Sequence, residues 1–268
     1  MKALICDFDG TLAKSDKTIT EQNTKAIAEL LARGKHFAVC TGRMTCSALR
    51  VLSKFPVKPL IATYNGAEIV NSETRELLYC NHLSYEETAE IARFAEFHGI
   101  NCQIYVGEQV VTPEILPITD IYCRACKNDV TALGIPVSVY VSEWKMGTPK
   151  LMFLDYKDKL DKIQPKAEIE FGERYDIARC GDFMLDFTRK NVNKGKAVER
   201  LCEMWGITPD ECVCMGDEFN DLSMIEGAGV GVCMKNGNKN LKEYADYVTE
   251  LTSDGDAVKE VIDKFLSD

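Results

Sequence analysis

Three uninterrupted apolar runs of strand length, ALICDF (3–8), HFAVC (36–40) and PLIAT (59–63), stand near the start of the chain, and a helical pattern separates the first two. A strand that is apolar on both faces needs cover on both faces. A strand–helix–strand repeat provides it, with parallel strands side by side between helices. The intervening TITEQNTKAIAELLARG carries Ile19, Ala26, Ile27, Leu30 and Leu31 on one side, with Thr18 and Glu21 spaced as a capping box and Gly34 as the stop. The pattern returns late. KGKAVERLCEMWG (194–206) reads as a helix, CVCMGD (212–217) and GVGVCM (229–234) as strands, and GDAVKEVIDKFL (255–266) as a closing helix. The first and last thirds therefore predict one α/β domain, doubly wound (Rossmann-like) on a mostly parallel sheet.

The middle has another rhythm. YEETAEIARFAEFHG (85–99) is a helix, followed by short extended pieces such as CQIYVG and VSVYVSEW, then PKLMFLD (149–155), a helix near 157–163, and MLDFT (184–188). This mixture predicts an α+β module inserted into the α/β domain, so that 1–82 and 188–268 form the core and 83–187 the insertion. No internal repeat or low-complexity linker interrupts the chain.

Bulk properties narrow the function. The chain has 268 residues, 46% of them hydrophobic, a formal net charge of −10 and a pI near 5.0. Such a field repels phosphate backbones and anionic lipid, and no basic cluster reverses it, which argues against nucleic-acid and membrane partners. The start lacks the features of a signal peptide and no apolar run reaches membrane-spanning length, so a soluble, cytoplasmic protein is expected. Twelve cysteines are scattered singly through apolar segments and read as buried reduced thiols. Cys123-x-x-Cys126 has zinc-like spacing but no second pair or nearby histidine completes a site.

The chemistry concentrates where apolar runs end. ICDFDGTL brings Asp7 and Asp9, two positions apart, to the carboxyl end of the first strand, where alternation puts both on one side and open parallel sheets bind ligands. Two convergent carboxylates repel each other unless a hard cation such as Mg²⁺ lies between them, and Gly10 permits the tight turn. Asp-Gly is also ordinary turn chemistry. Thr41 and Gly42 follow the second strand, where a hydroxyl and an open N–H suit phosphate oxygens, although Thr-Gly there also serves as a plain turn. Lys194 opens a helix and so adds its charge to the positive end of the helix dipole, an anion site unless it is simply a solvated lysine. GDEFND (216–221) sets Asp217 after a strand with Asn220 and Asp221 in the turn beyond, a metal site or an acidic turn.

Together and in this order, DFDGTL, TGR, YNGA, PKLMFLD, NKGKAVERL, GDEFNDLSMIEGAGVGVCM and ADYVTELTSDGDAV resemble the haloacid dehalogenase (HAD) superfamily, and within it the Cof-like sugar-phosphatase branch, over nearly the whole chain. The resemblance implies that Asp7 is a nucleophile and Asp9 a general acid/base. It implies that Phe8, Thr41, Gly42, Lys194 and Asn220 contact phosphate or substrate, that Asp7, Asp9, Asp217 and Asp221 hold Mg²⁺, and that the insertion is an α/β cap. A second-position carboxylate is what the family's phosphatases share and its dehalogenases lack. The expected function is therefore Mg²⁺-dependent hydrolysis of a small phosphorylated metabolite, a sugar phosphate or phosphorylated cofactor, through an aspartyl-phosphate, by a monomer or weak homodimer. A phosphomutase or phosphotransferase of the same fold, or a non-catalytic phosphometabolite-binding protein, are the alternatives. Cys233 and Gly237 stand where alanines are commoner, away from the proposed catalytic groups.

Overall fold

The computed structural model describes residues 1–126, 128–179 and 181–267, without the side chains of Ala125 and Cys126. The chain begins with β1 (Ala3–Cys6), α1 (Glu21–Ala32), β2 (His36–Cys40), α2 (Thr45–Val51), β3 (Leu60–Thr63), β4 (Glu68–Asn71) and β5 (Leu77–Cys80). It continues through α3 (Tyr85–Phe97), β6 (Cys102–Val106), β7 (Gln109–Thr112), α4 (Pro117–Cys126), β8 (Asp129–Ala132), α5 (Val137–Trp144), β9 (Leu151–Leu154), α6 (Lys157–Phe171), β10 (Tyr175–Arg179) and β11 (Met184–Arg189). It ends with α7 (Lys194–Trp205), β12 (Cys212–Gly216), α8 (Leu222–Glu226), β13 (Val230–Cys233), β14 (Tyr247–Val248) and α9 (Ala257–Phe265). Two compact units result, one of residues 1–79 and 193–268, the other of residues 80–192.

The first unit is built on a sheet of order β14-β13-β12-β1-β2-β3-β4-β5, parallel from β14 to β3, with β4 antiparallel to β3. β1 is central, Cys6 pairing with Met215 on one side and Val39 on the other. Its residues alternate between two cores. Leu4 and Cys6 join Ile27, Leu30 and Ile262 from α1 and α9, while Ala3 and Ile5 join Ala197 and Leu201 from α7. Both faces being covered is why the run is apolar throughout.

Helix α1 starts two residues later than the capping-box reading has it. Thr20, not Thr18, is its N-cap, accepting from Asn23 N at 3.1 Å. Thr18 is drawn away by the Asp16 carboxylate, which takes its N–H at 2.9 Å and its hydroxyl at 2.5 Å. Gly34 ends the helix as expected, in the left-handed region at φ +76°.

The second unit carries a sheet of order β10-β11-β9-β6-β7-β8, antiparallel except for the β7–β8 pair. One face packs Cys102, Ile104, Phe153 and Phe187 against Ile91, Val141, Ile163 and Phe171. VSVYVSEW is helical, not extended. Its valines suggest alternation, but Val137, Ser138 and Val141 are buried while Val139 is 41% exposed, a helical spacing that serves packing on α3. β11 runs to Arg189, where it pairs with Tyr175, so this unit extends past residue 187. Cys123 is buried on α4, and the Cys126 side chain lies outside the described residues. None of the described cysteines is in a disulfide. No helix among the described residues is long and apolar enough to cross a membrane.

The core of the second unit turns on Phe153, fully buried between the rings of Phe94 and Phe187. Phe153→Ala is expected to cost about 3–5 kcal/mol, the usual result of emptying a packed aromatic site. Hydrogen exchange should show lost amide protection in β6, β9 and β11 with β1 and β12 retaining theirs; equal loss in both sheets would contradict two separate cores.

Candidate active site

β1, β2 and β12 are parallel neighbours, so the residues that follow their last positions, Asp7, Thr41 and Asp217, emerge on one edge of the sheet. Helix α7 begins at Lys194, and the lysine Nζ donates to Asp7 Oδ1 at 2.6 Å and to Asp221 Oδ1. Asp221 accepts the N–H groups of Asp217 and Glu218 on its other oxygen, at 2.9 and 3.0 Å. Asp217 Oδ1 accepts from the Thr11 hydroxyl at 2.9 Å. Carboxylate oxygens of Asp7, Asp217 and Asp221 lie within 4.8 Å of one another, and all three residues are buried.

Glycines allow this crowding. A Cβ on Gly10 would stand 2.3 Å from Asp217 Oδ2, and one on Gly216 would stand 2.4 Å from Asp221 Cβ. Gly10 is also held at φ +79°, so both its conformation and its missing side chain are required.

Three carboxylates face one ammonium. The ionised cluster therefore carries two surplus negative charges out of water, and proton affinities rise accordingly. Burial raises the Asp7 pKa to about 8, with Lys194 opposing and Asp221 adding to the shift. Burial likewise raises Asp217 to about 6, against the hydrogen bond from Thr11. Lys194 loses by burial but gains more from Asp7 and Asp221, so its pKa is raised and it stays charged. Among the described residues neither Asp7 Oδ2 nor Asp217 Oδ2 accepts a hydrogen bond. Surplus charge and oxygen-only donors gathered within 4.8 Å fit a hard divalent cation.

Asp9 is not part of this cluster. Strand alternation would bring it beside Asp7, but β1 stops at Cys6 and residues 7–13 form a turn, with Leu12 N donating to Asp7 O and Ala13 N to Phe8 O. The Asp9 carboxylate is held by Arg43 at 2.5 and 2.7 Å and by Lys17 at 2.7 Å. Burial pushes its pKa up, but these hydrogen bonds outweigh that and hold it below the ordinary value. The Phe8 ring is 1% exposed and belongs to the core, which leaves only its main chain for the site.

Thr41 is buried, its hydroxyl accepting from Arg43 N at 3.2 Å. Gly42 and Asn220 are joined through a residue the sequence reading passed over. Asn65 Oδ1 accepts from Asn220 Nδ2 at 3.1 Å and would lie 3.1 Å from a Cβ on Gly42. Tyr64 and Asn65 are consecutive left-handed residues, at φ +50° and +58°, tied down by Tyr64 N donating to Arg43 O and Asn65 N to Thr41 O. The Asn-Gly of YNGA was the available signal, since Asn tolerates that conformation. Thr11, Lys17 and Arg43 carried no comparable signal as isolated residues.

The sequence profile of the haloacid dehalogenase-like hydrolases matches residues 4–262. The 5-amino-6-(5-phospho-D-ribitylamino)uracil phosphatase YwtE of Bacillus subtilis is 27% identical across 100% of this chain and 99% of its own length. A haloacid dehalogenase-like hydrolase from Bacteroides thetaiotaomicron shares 27% identity and superposes with a TM-score of 0.84 over 98% of each chain. A Thermotoga maritima protein does so with 28% identity and a TM-score of 0.88, over 100% of this chain and 98% of its own. The chain belongs to the haloacid dehalogenase-like hydrolase family. It is a phosphatase of that family.

The raised carboxylates set a pH signature. Between the unfolded value of 3.8 and the folded values of about 6 and about 8, the native protein binds more protons than the unfolded chain, so metal-free stability falls as pH rises through that window. A cation that relieves the surplus charge stabilises more at the upper end. The melting temperature in chelator should decline from pH 5 to pH 8, and added Mg²⁺ should raise it more at pH 8. An equal Mg²⁺ effect at both pH values would contradict this account of the cluster.

Proposed function

We propose that the protein hydrolyses small phosphorylated metabolites, sugar phosphates or phosphorylated cofactors, with Mg²⁺ and through an aspartyl-phosphate on Asp7. The observation that carries this reading is the Asp7 carboxylate held by Lys194 at 2.6 Å beside Asp217 and Asp221. A nucleophilic carboxylate approaching a phosphate ester meets like charge. The divalent cation, when bound by Asp7, Asp217 and Asp221, neutralises that repulsion.

The chain's own groups supply the remainder. Lys194 fixes the attacking carboxylate and adds its charge at the N-terminus of α7. Thr41, the Gly42 main chain and the Phe8 N–H receive phosphate oxygens, with Asn220 set by Asn65. Asp7 attacks phosphorus while the bond to the leaving oxygen breaks, and Asp9 gives that oxygen a proton. The resulting Asp9 carboxylate then takes a proton from water, which attacks the acyl phosphate, releases inorganic phosphate and restores both aspartates. Arg43 and Lys17 favour the ionised state that this second step needs, so Asp9 has to take up a proton against that bias before the first step.

All of these residues lie within 7–43, 65 and 194–221, in the first unit. To the second unit, inserted at residues 80–192 and contributing none of them, we assign the choice of substrate. YwtE, by its name a 5-amino-6-(5-phospho-D-ribitylamino)uracil phosphatase, supports counting phosphorylated compounds other than simple sugar phosphates among the substrates.

Two experiments test the reading. Acid-quenched single turnovers with a labelled substrate should leave phosphate on the protein in a hydroxylamine-sensitive form, absent in Asp7→Asn. Asp7→Asn should also abolish multiple turnover; activity above background, or label retained on another residue, would refute the assignment. Asp217→Ala should raise the Mg²⁺ concentration needed for half-maximal rate at least about tenfold, through loss of one carboxylate donor, and an unchanged titration would remove Asp217 from the metal site.

A further inference from the structure

In the scheme above the arginine of TGR only favours the ionised state of Asp9, yet its Nε makes the shortest contact to that carboxylate. Its Nε and Nη2 reach the two carboxylate oxygens separately, at 2.5 and 2.7 Å, a two-pronged grip that fixes the plane of the carboxylate as well as its distance. The guanidinium is itself held on several sides. Nη1 donates to Ser47 Oγ at 3.2 Å, Cζ lies 5.3 Å from the centre of the Phe8 ring, and the Arg43 carbonyl accepts from Tyr64 N at 3.0 Å. Arg43 is 21% exposed and Asp9 36%. Lys17, by contrast, offers a single contact from a side chain 47% exposed.

This arrangement answers a geometric need. Asp9 sits on a turn beyond the end of β1, where a single β-bridge to Ala13 holds its main chain but does not orient its side chain, and Gly10 next to it is conformationally permissive. A carboxylate that must hand a proton to one oxygen and then take one from water has to be aimed. Phe8, one residue earlier, is packed in the core, so a guanidinium stacked on its ring is referenced to the rigid sheet.

We propose that Arg43 is a positioning residue for proton transfer, acting on the reaction through the Asp9 carboxylate, whose orientation it fixes. The proposal rests on the acid/base reading of Asp9, and its test separates the two. General acid assistance matters for a poor leaving group such as an alkoxide and little for p-nitrophenolate. The comparison is therefore kcat/KM for an alkyl phosphate ester against p-nitrophenyl phosphate, measured for Asp9→Asn, Arg43→Gln, Arg43→Lys and the double variant Asp9→Asn/Arg43→Gln in the full-length, Mg²⁺-loaded protein.

General acid assistance is worth on the order of 10²–10⁴-fold, so loss of its aim should cost about tenfold or more on the alkyl ester and less than about threefold on p-nitrophenyl phosphate. Arg43→Lys keeps the charge without the fork and should show the same selective loss, which serves if Arg43→Gln does not fold. In the Asp9→Asn background Arg43→Gln should add nothing, because its effect passes through a group already removed. Equal losses on both esters would make Arg43 a phosphate-binding or structural residue and overturn the proposal, as would an additive loss in the double variant. If Asp9→Asn itself treats both esters alike, the acid/base reading fails and the proposal falls with it; a selective Asp9→Asn beside a non-selective Arg43→Gln defeats the proposal alone.

Discussion

Three buried carboxylates and one buried ammonium at the edge of a parallel sheet set the conditions for the surrounding site. Ions removed from water cost several kcal/mol each unless closely paired and hydrogen-bonded, and Asp7, Asp217 and Asp221 outnumber Lys194. Each neighbouring feature reads as a partial answer. Asp221 takes two main-chain N–H groups, Asp217 takes the Thr11 hydroxyl, and Lys194 is placed so that its ammonium bridges two carboxylates. What is left over is charge that a divalent cation would balance.

That arrangement depends on the sheet in a specific way. Parallel neighbours end on the same side, so β1, β2 and β12 deliver Asp7, Thr41 and Asp217 to one edge although they are distant in sequence. The glycines that follow or precede them give the space in which carboxylates approach main chain. Conformational cost is concentrated nearby as well. Tyr64 and Asn65 occupy the left-handed region in succession, at an expense of order 1–3 kcal/mol each, offset by hydrogen bonds to the loop that carries Thr41 and Arg43. The result is an amide, Asn65, held against both Gly42 and Asn220.

The two aspartates of DFDG are therefore in different electrostatic settings two residues apart. Asp7 is buried among like charges with a raised proton affinity, and Asp9 is gripped by cations with a lowered one. Environments that push neighbouring carboxylates apart are how one motif supplies groups for different tasks. Separation arises because β1 ends at Cys6, before both, and the core at Phe8 and Leu12 pins the turn that carries them.

Much of this was legible in the amino-acid order, because it rests on local rules. Apolar runs of strand length, the helix patterns at 85–99 and 194–206, and acidic or phosphate-binding residue types placed just after strands all depend on near neighbours, and they pointed to the doubly wound domain, the inserted module and the haloacid dehalogenase-like family. What required the tertiary structure was every choice made by distant contacts. VSVYVSEW became helix α5 because a helical face packs on α3, a preference no local window contains. Thr18 lost the capping role to Thr20 through the pull of Asp16. The expectation that Asp7 and Asp9 converge followed strand alternation past the point where the strand stops. The partners that decide the site, Lys194 to Asp7 across 187 positions, Thr11 to Asp217 across 206 and Arg43 to Asp9 across 34, are joined only when the sheet assembles, and long-range electrostatic pairing leaves no periodic trace in sequence.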